Sequence, residues 1–180
     1  SGARLWPLSR AGFPKQFLTL MGDTSLFQQA LMRINALNDK NVALGATIVV
    51  SNDNHRFLAL DQLRDLKNIS AEFLLEPSGK NTAPALTFAA LRASVGGQDP
   101  VLVVSPADQT VHSIAAFIDS LKRSIEVAHQ DRIVVLGIKP TKLETGYGYI
   151  KHNPQPEQLG QYLVTQFTEK PDVKTAQQYL

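Results

Sequence analysis

Short apolar runs rich in β-branched residues alternate with segments of helical period along most of this chain, and that alternation restricts the fold more than any single motif does. Ala46-Thr47-Ile48-Val49-Val50-Ser51, Glu72-Phe73-Leu74-Leu75-Glu76, Val101-Leu102-Val103-Val104-Ser105 and Ile133-Val134-Val135-Leu136-Gly137-Ile138 read as strands, the first and third as strands buried on both faces. Helices are predicted between and before them. Ser25 stands three residues before Gln28 as a capping box, and Phe27, Ala30, Leu31 and Ile34 share one face of a helix running to about Leu37. A second helix starts at Asn52-Asp53-Asn54, with Phe57, Leu58, Leu60, Leu63 and Leu66 mostly on one side. A third covers 81–95, with Pro84 in its first turn, where its missing N–H costs nothing, and Gly96-Gly97 ending it. A fourth carries Ile114, Phe117, Ile118, Leu121, Ile125 and Ala128 at helical spacing. The pattern implies an α/β fold, a Rossmann-like mostly parallel sheet with helices on both faces, whose ligands gather at the carboxyl ends of the strands. Beyond Ile138 the rhythm changes to a loop with two glycines, strands over 149–152 and 162–168, and a terminal helix from Asp172.

At 180 residues and 43% hydrophobic content the chain can bury a core and reads as a single domain over 1–180, without internal repeat, low-complexity tract or linker. The formal charge of +2 is too small and too dispersed for a nucleic-acid or membrane-surface partner. There is no cysteine, hence no disulfide framework or thiolate metal site. No stretch has the apolar length of a signal peptide or membrane span, so the expected location is cytoplasmic. His55, His112, His129 and His152 show no metal-ligand spacing. The sequence leaves room for a homo-oligomer.

The opening stretch Ser1-Gly2-Ala3-Arg4-Leu5-Trp6-Pro7-Leu8-Ser9-Arg10, followed by Phe13-Pro14-Lys15-Gln16-Phe17-Leu18, has the make-up of a phosphate loop. Small residues at Gly2 and Ala3 let backbone N–H groups approach an anion, Arg4 can grip a phosphate through two donors, and Lys15 adds a point charge. A solvated basic arm would have much the same composition. Such a loop normally follows a first strand, and no apolar run precedes it here. Asp108 lies just past the run ending at Ser105, where a carboxylate can reach a magnesium ion or simply cap a turn. The loop lacks the Gly-Lys-Ser/Thr ending of a P-loop, and no G-x-G-x-x-G spacing supports dinucleotide binding.

In order, Gly-x-Arg-Leu-Trp-Pro-Leu-Ser-Arg from Gly2, Pro-Lys-Gln-Phe-Leu from Pro14, Glu-Pro-x-Gly-Lys-Asn-Thr-Ala-Pro-Ala from Glu76, Pro-Ala-Asp from Pro106, Gly-Tyr-Gly-Tyr-Ile from Gly146 and Glu-Lys-Pro from Glu169 form a set that resembles the mannose-1-phosphate guanylyltransferases, which make GDP-mannose. The resemblance implies a nucleotide-diphospho-sugar transferase fold. It also implies an incomplete domain: the family's first strand and leading glycine are expected before Ser1, and its downstream sheet, with a second metal carboxylate, beyond Leu180. The isomerase domain of some members leaves no trace in these residues.

The implied substrates are GTP and mannose 1-phosphate, and the implied cofactor is Mg2+. By similarity Arg4 and Lys15, with the amides of Gly2 and Ala3, hold the triphosphate, and Asp108 is the metal ligand. The nucleotide segment comprises Glu76, Pro77, Gly79, Asn81, Thr82 and Ala83. Glu76 is the candidate reader of guanine, whose N1–H and exocyclic amine are adjacent donors that one carboxylate can accept, although backbone groups around Pro77 and Gly79 could read the base instead, and a strand-end glutamate in water would look the same. Gly146 and Tyr147 are expected to border the hexose, Glu169 to meet sugar hydroxyls and Lys170 the sugar phosphate; a tight turn and an exposed charge pair are the plain readings of those two stretches. Two positions depart from the family pattern: Gln109 replaces a usual histidine and Ala3 a usual threonine. Another nucleotide-sugar pyrophosphorylase and a non-catalytic nucleotide-binding regulator remain as alternatives.

Overall fold

A computed structural model describes residues 5–158 and 160–180. The chain divides into two compact units, one through Val134 and one from Val135. In the first, Thr47–Asn52 (β1) and Ala71–Glu76 (β2) pair in parallel, with Val49 opposite Phe73 and Asn52 opposite Glu76 at the carboxyl end. They are joined by a short 3-10 turn, Asp53–His55, and helix α2, Arg56–Arg64. Helix α1, Leu26–Asn35, precedes them. Helices α3, Thr82–Ala93, and α4, Ile114–Ala128, follow.

Both faces of the parallel pair carry helices, for a reason the register makes plain. Side chains alternate across a strand, so Val49 and Phe73 share one face while Glu72 and Leu74 point to the other. On the first face Val49 and Phe73 pack into a cluster built on Phe17, Phe27, Leu31 and Ala59, which brings in α1 and α2. On the other, Glu72 Oε1 meets Arg92 Nε of α3 at 2.5 Å. Helix α1 begins with the capping box expected of it: Ser25 Oγ accepts from Gln28 N at 3.1 Å, and Gln28 Oε1 accepts from Ser25 N at 2.9 Å. In α2 the buried residue is Ala59, whereas Phe57 is exposed beneath the Arg56 guanidinium.

Two expected strands are absent from the ladders. Residues 101–105 and 133–138 belong to neither two-stranded sheet. The first run is half-buried on one side: Val103 packs on the cluster of Leu37, Ile118 and Leu121, while Leu102 and Val104 are exposed. In the second, Ile133 and Ile138 are almost wholly exposed. A β-branched run favours extension, but it becomes a strand only where a neighbour offers a matching row of N–H and C=O groups, and among the described residues neither run has such a neighbour.

The second unit is built on an antiparallel pair, Gly148–His152 (β3) and Val164–Glu169 (β4), with a register shift at Lys151/His152, and ends in α5, Val173–Gln178. Asp172 caps α5 by accepting from Thr175 N at 2.8 Å. The Tyr149 and Tyr179 rings pack at 5.4 Å. Among the described residues no helix is long and apolar enough to cross a membrane.

Candidate active site

Pro14 starts a single 3-10 turn, Lys15–Phe17, in which Phe17 N donates to Pro14 O at 3.1 Å and Leu18 N to Lys15 O at 3.0 Å. Phe17 turns inward. Its ring lies 5.5 Å from that of Phe27, in the cluster that also receives Ala107. The residue two before Phe17 and the residue after Ala107 are thereby drawn together: Lys15 Nζ stands 2.7 Å from Asp108 Oδ2, both side chains about one-third exposed, at 34% and 37%. An ammonium and a carboxylate far apart in sequence thus meet on a partly wetted surface, anchored from below by apolar packing. The approach to Lys15 is a folded loop rather than an arm in water, with Ser9 N bonded to Leu5 O at 3.1 Å and Arg10 and Phe13 exchanging backbone bonds at 3.0 and 2.9 Å. Gly2, Ala3 and Arg4 lie outside the described residues.

Glu76 ends β2 directly opposite Asn52 of β1, so both occupy the carboxyl edge of the parallel pair. With Pro77 it lines a shallow hollow of about 390 Å3 whose other walls are Phe73, Leu74, Leu75 and Phe88. The chain then passes Gly79, where a side chain would meet open space, and reaches Asn81 at φ 69° and ψ −165°. That backbone region is close to glycine-only and costs on the order of 1–3 kcal/mol for another residue. It turns the chain into α3, whose first residues Thr82 and Ala83 carry N–H groups without a helical acceptor.

In the second unit, Lys170 N donates to Tyr147 O at 3.1 Å, which places Gly146-Tyr147 beside Glu169-Lys170. Lys170 Nζ and Glu169 Oε1 are 3.0 Å apart, and Lys170 has a left-handed backbone, φ 44°. Gly148 leaves room here for the side chains opposite it. A Cβ on it would stand 2.3 Å from Phe167 Cζ and 3.0 Å from Glu169 Oε2.

Sequence reasoning named the charged groups and missed what holds them. Gln62 on α2 donates through Nε2 to the Phe17 carbonyl at 2.9 Å, and Phe88 lines the hollow that Glu76 borders. Neither has a local signal: Gln62 reads as one more polar position on a helix, and Phe88 as core. Asp108 has the chemistry, among the described residues, that a divalent ion would require of a ligand. It is a hard oxygen donor, half in water, and magnesium is held by one or two carboxylates with waters and substrate phosphates supplying the rest. A cluster of three or more ligating side chains is absent among the described residues.

A family model described as nucleotidyl transferase matches residues 1–180. The xanthan biosynthesis protein XanB of Xanthomonas campestris pv. campestris is 47% identical over 180 residues, which is 100% of this chain and 37% of that protein. A mannose-1-phosphate guanylyltransferase of Klebsiella pneumoniae is 40% identical over 189 residues, again 100% of this chain and 38% of the relative. The chain thus spans 37% to 38% of the length of these relatives. Among solved structures, one described as a mannose-1-phosphate geranyltransferase from Thermus thermophilus superposes with a TM-score of 0.82 at 32% identity, covering 98% of this chain and 49% of that one.

Proposed function

The chain belongs to the nucleotidyl transferase family, and from that premise we infer that it serves a guanylyltransferase making GDP-mannose and pyrophosphate from GTP and mannose 1-phosphate. The observation that carries the reading is the 2.7 Å meeting of Lys15 and Asp108. A phosphate oxygen of the sugar phosphate attacks the α-phosphorus of GTP, the bond from that phosphorus to the bridging oxygen breaks, and pyrophosphate departs with the electron pair. The attacking oxygen is already ionised, so no side chain has to take a proton. What the site must do is bring two polyanions together and spread charge on the leaving group.

Lys15 supplies a fixed cation for the triphosphate, joined by Arg4 and the amides of Gly2 and Ala3, as electrostatic preorganisation requires. Asp108 would hold Mg2+, which when bound neutralises phosphate charge and orients the reacting groups. Glu76 accepts guanine N1–H and the exocyclic amine, with Pro77, Gly79, Asn81, Thr82 and Ala83 forming the rest of the nucleotide segment. Gly146, Tyr147, Glu169 and Lys170 take the sugar phosphate. A GTP substrate fits a reaction in the cytoplasm.

The test is pyrophosphate release from each of the four nucleoside triphosphates with mannose 1-phosphate and magnesium, using the full-length gene product beside Asp108→Asn and Glu76→Gln. Turnover confined to GTP, lost in Asp108→Asn and relaxed towards other nucleotides in Glu76→Gln, is the expected result. Turnover with a different nucleotide overturns the guanine assignment. GTP binding without any turnover would point instead to a regulatory nucleotide-binding protein.

A further inference from the structure

The turn that carries Lys15 leaves some of its backbone groups without a partner inside the turn. Its own hydrogen bonds use the carbonyls of Pro14 and Lys15 and leave those of Gln16 and Phe17 over, as at any helix end. The Phe17 carbonyl is taken by a side chain 45 residues along the chain, where Gln62 Nε2 donates to it at 2.9 Å. A carbonyl can only accept, so this contact fixes which end of the amide faces the turn. The other end, Gln62 Oε1, accepts from the Ser25 hydroxyl at 2.6 Å, and the Gln62 main-chain carbonyl accepts from Gln28 Nε2 at 2.9 Å. Ser25 and Gln28 are buried and are themselves the two halves of the α1 capping box. The Lys15 turn, the start of α1 and the end of α2 are therefore wired through Gln62, and a part-buried network with its donors and acceptors matched in this way favours one arrangement of its parts.

We propose that Gln62 is a positioning residue for Lys15: by holding the Phe17 carbonyl it fixes the turn, and so the reach of the ammonium towards Asp108 and the substrate triphosphate. The proposal rests on the reading of Lys15 as a triphosphate ligand. Gln62 acts wholly through the turn and touches no substrate group, so its effect has to vanish when Lys15 has no ammonium to place.

A double-mutant cycle in the full-length protein tests this. Gln62→Met is made with Lys15 present and in a Lys15→Met background. The dissociation constant for magnesium-GTP is measured by calorimetry, kcat and KM by pyrophosphate release, and the thermal midpoint by circular dichroism. With Lys15 present, Gln62→Met is expected to weaken GTP binding and kcat/KM by about 3- to 10-fold, the scale of one lost hydrogen bond. With Met at position 15 the same change is expected to alter GTP binding by less than about twofold, while the thermal midpoint falls equally in both backgrounds. Equal losses of GTP affinity in the two backgrounds would make Gln62 a structural residue only and overturn the proposal, as would an unchanged affinity with Lys15 present. A wild-type protein that neither binds GTP nor releases pyrophosphate would instead defeat the functional reading itself. Should Gln62→Met not fold, Gln62→Leu removes the donor without adding a charge, with the same expected coupling to Lys15.

Discussion

Removing Lys15 should tighten the binding of a divalent ion on its own and weaken it when GTP is present. Without nucleotide, the ammonium sits 2.7 Å from Asp108 Oδ2 and neutralises the carboxylate that the ion needs. Because both side chains are about one-third exposed, their attraction belongs with solvent-screened pairs, of the order of 0.2–1 kcal/mol. Lys15→Met releases that hold, so Mn2+, used as a paramagnetic substitute for Mg2+, should bind the nucleotide-free variant about 1.4- to 5-fold more tightly. Added salt should shrink the difference. With GTP bound, the sign reverses: Lys15 now serves the triphosphate, and losing a hydrogen bond to a charged group, about 1.5–3 kcal/mol, should weaken magnesium-GTP binding by about 10- to 150-fold. The assay is the electron paramagnetic resonance signal of free Mn2+ titrated against wild type, Lys15→Met and Asp108→Asn, each with and without GTP. Mn2+ binding that is no tighter in nucleotide-free Lys15→Met, or that ignores Asp108→Asn, would refute the account of Lys15 as a counter-ion that the metal displaces.

Two further outcomes test the framework around the site. Asp39 takes a hydrogen bond from Lys122 of α4 and others from the amides of Asn41 and Val42, which together hold its carboxyl down at about 2. A lowered carboxyl stabilises the fold above its unfolded value, near 4, and the benefit is lost as pH falls through about 2; Asp39→Asn should therefore lower the thermal midpoint at pH 7, with the gap to wild type closing between pH 4 and 2. A gap that stays constant over that range would contradict the pairing. Gly148→Ala has to displace the Phe167 ring tip and the Glu169 carboxylate, and since Phe167 is exposed its ring can swing aside, so the stability loss should stay within about 1 kcal/mol. Its signature is a raised KM for mannose 1-phosphate at unchanged KM for GTP; equal changes in both would remove Glu169 from the sugar side.

What could be read in the sequence was local. Ser25 and Gln28 announce the start of α1 because a capping box is closed within four residues, and β1, β2, α3 and α4 carry their period in their own side chains. Lys15 and Asp108 could be named because few residue types handle phosphate and magnesium. Pairing is different. Residues 101–105 and 133–138 have the composition of strands, but whether a ladder forms depends on which segment lies alongside, and a run of valines and isoleucines does not encode its neighbour. The same holds for Gln62, whose importance comes from a carbonyl 45 residues away and leaves no mark on the helix that carries it.

The placement of Lys15 and Asp108 follows from packing more than from their own attraction. Truncating a buried phenylalanine costs about 3–5 kcal/mol, whereas an ion pair as exposed as Lys15–Asp108 gives about 1 kcal/mol at most. Phe17, two residues from Lys15, belongs to a buried cluster against which the partly buried Ala107, one residue from Asp108, packs together with Val49 of β1 and Phe73 of β2. The turn is thus pinned beside the sheet by the larger energy, with Ala107 packed on the same cluster, and the salt bridge is free to open without disturbing the turn. For the proposed phosphoryl transfer, whose catalysis would be mostly positioning, that ordering is the useful one. A pair held together chiefly by its own charges would have to break part of the fold to admit a metal or a triphosphate; here the ammonium and the carboxylate can each change partner while their backbones stay where Phe17 and Ala107 put them.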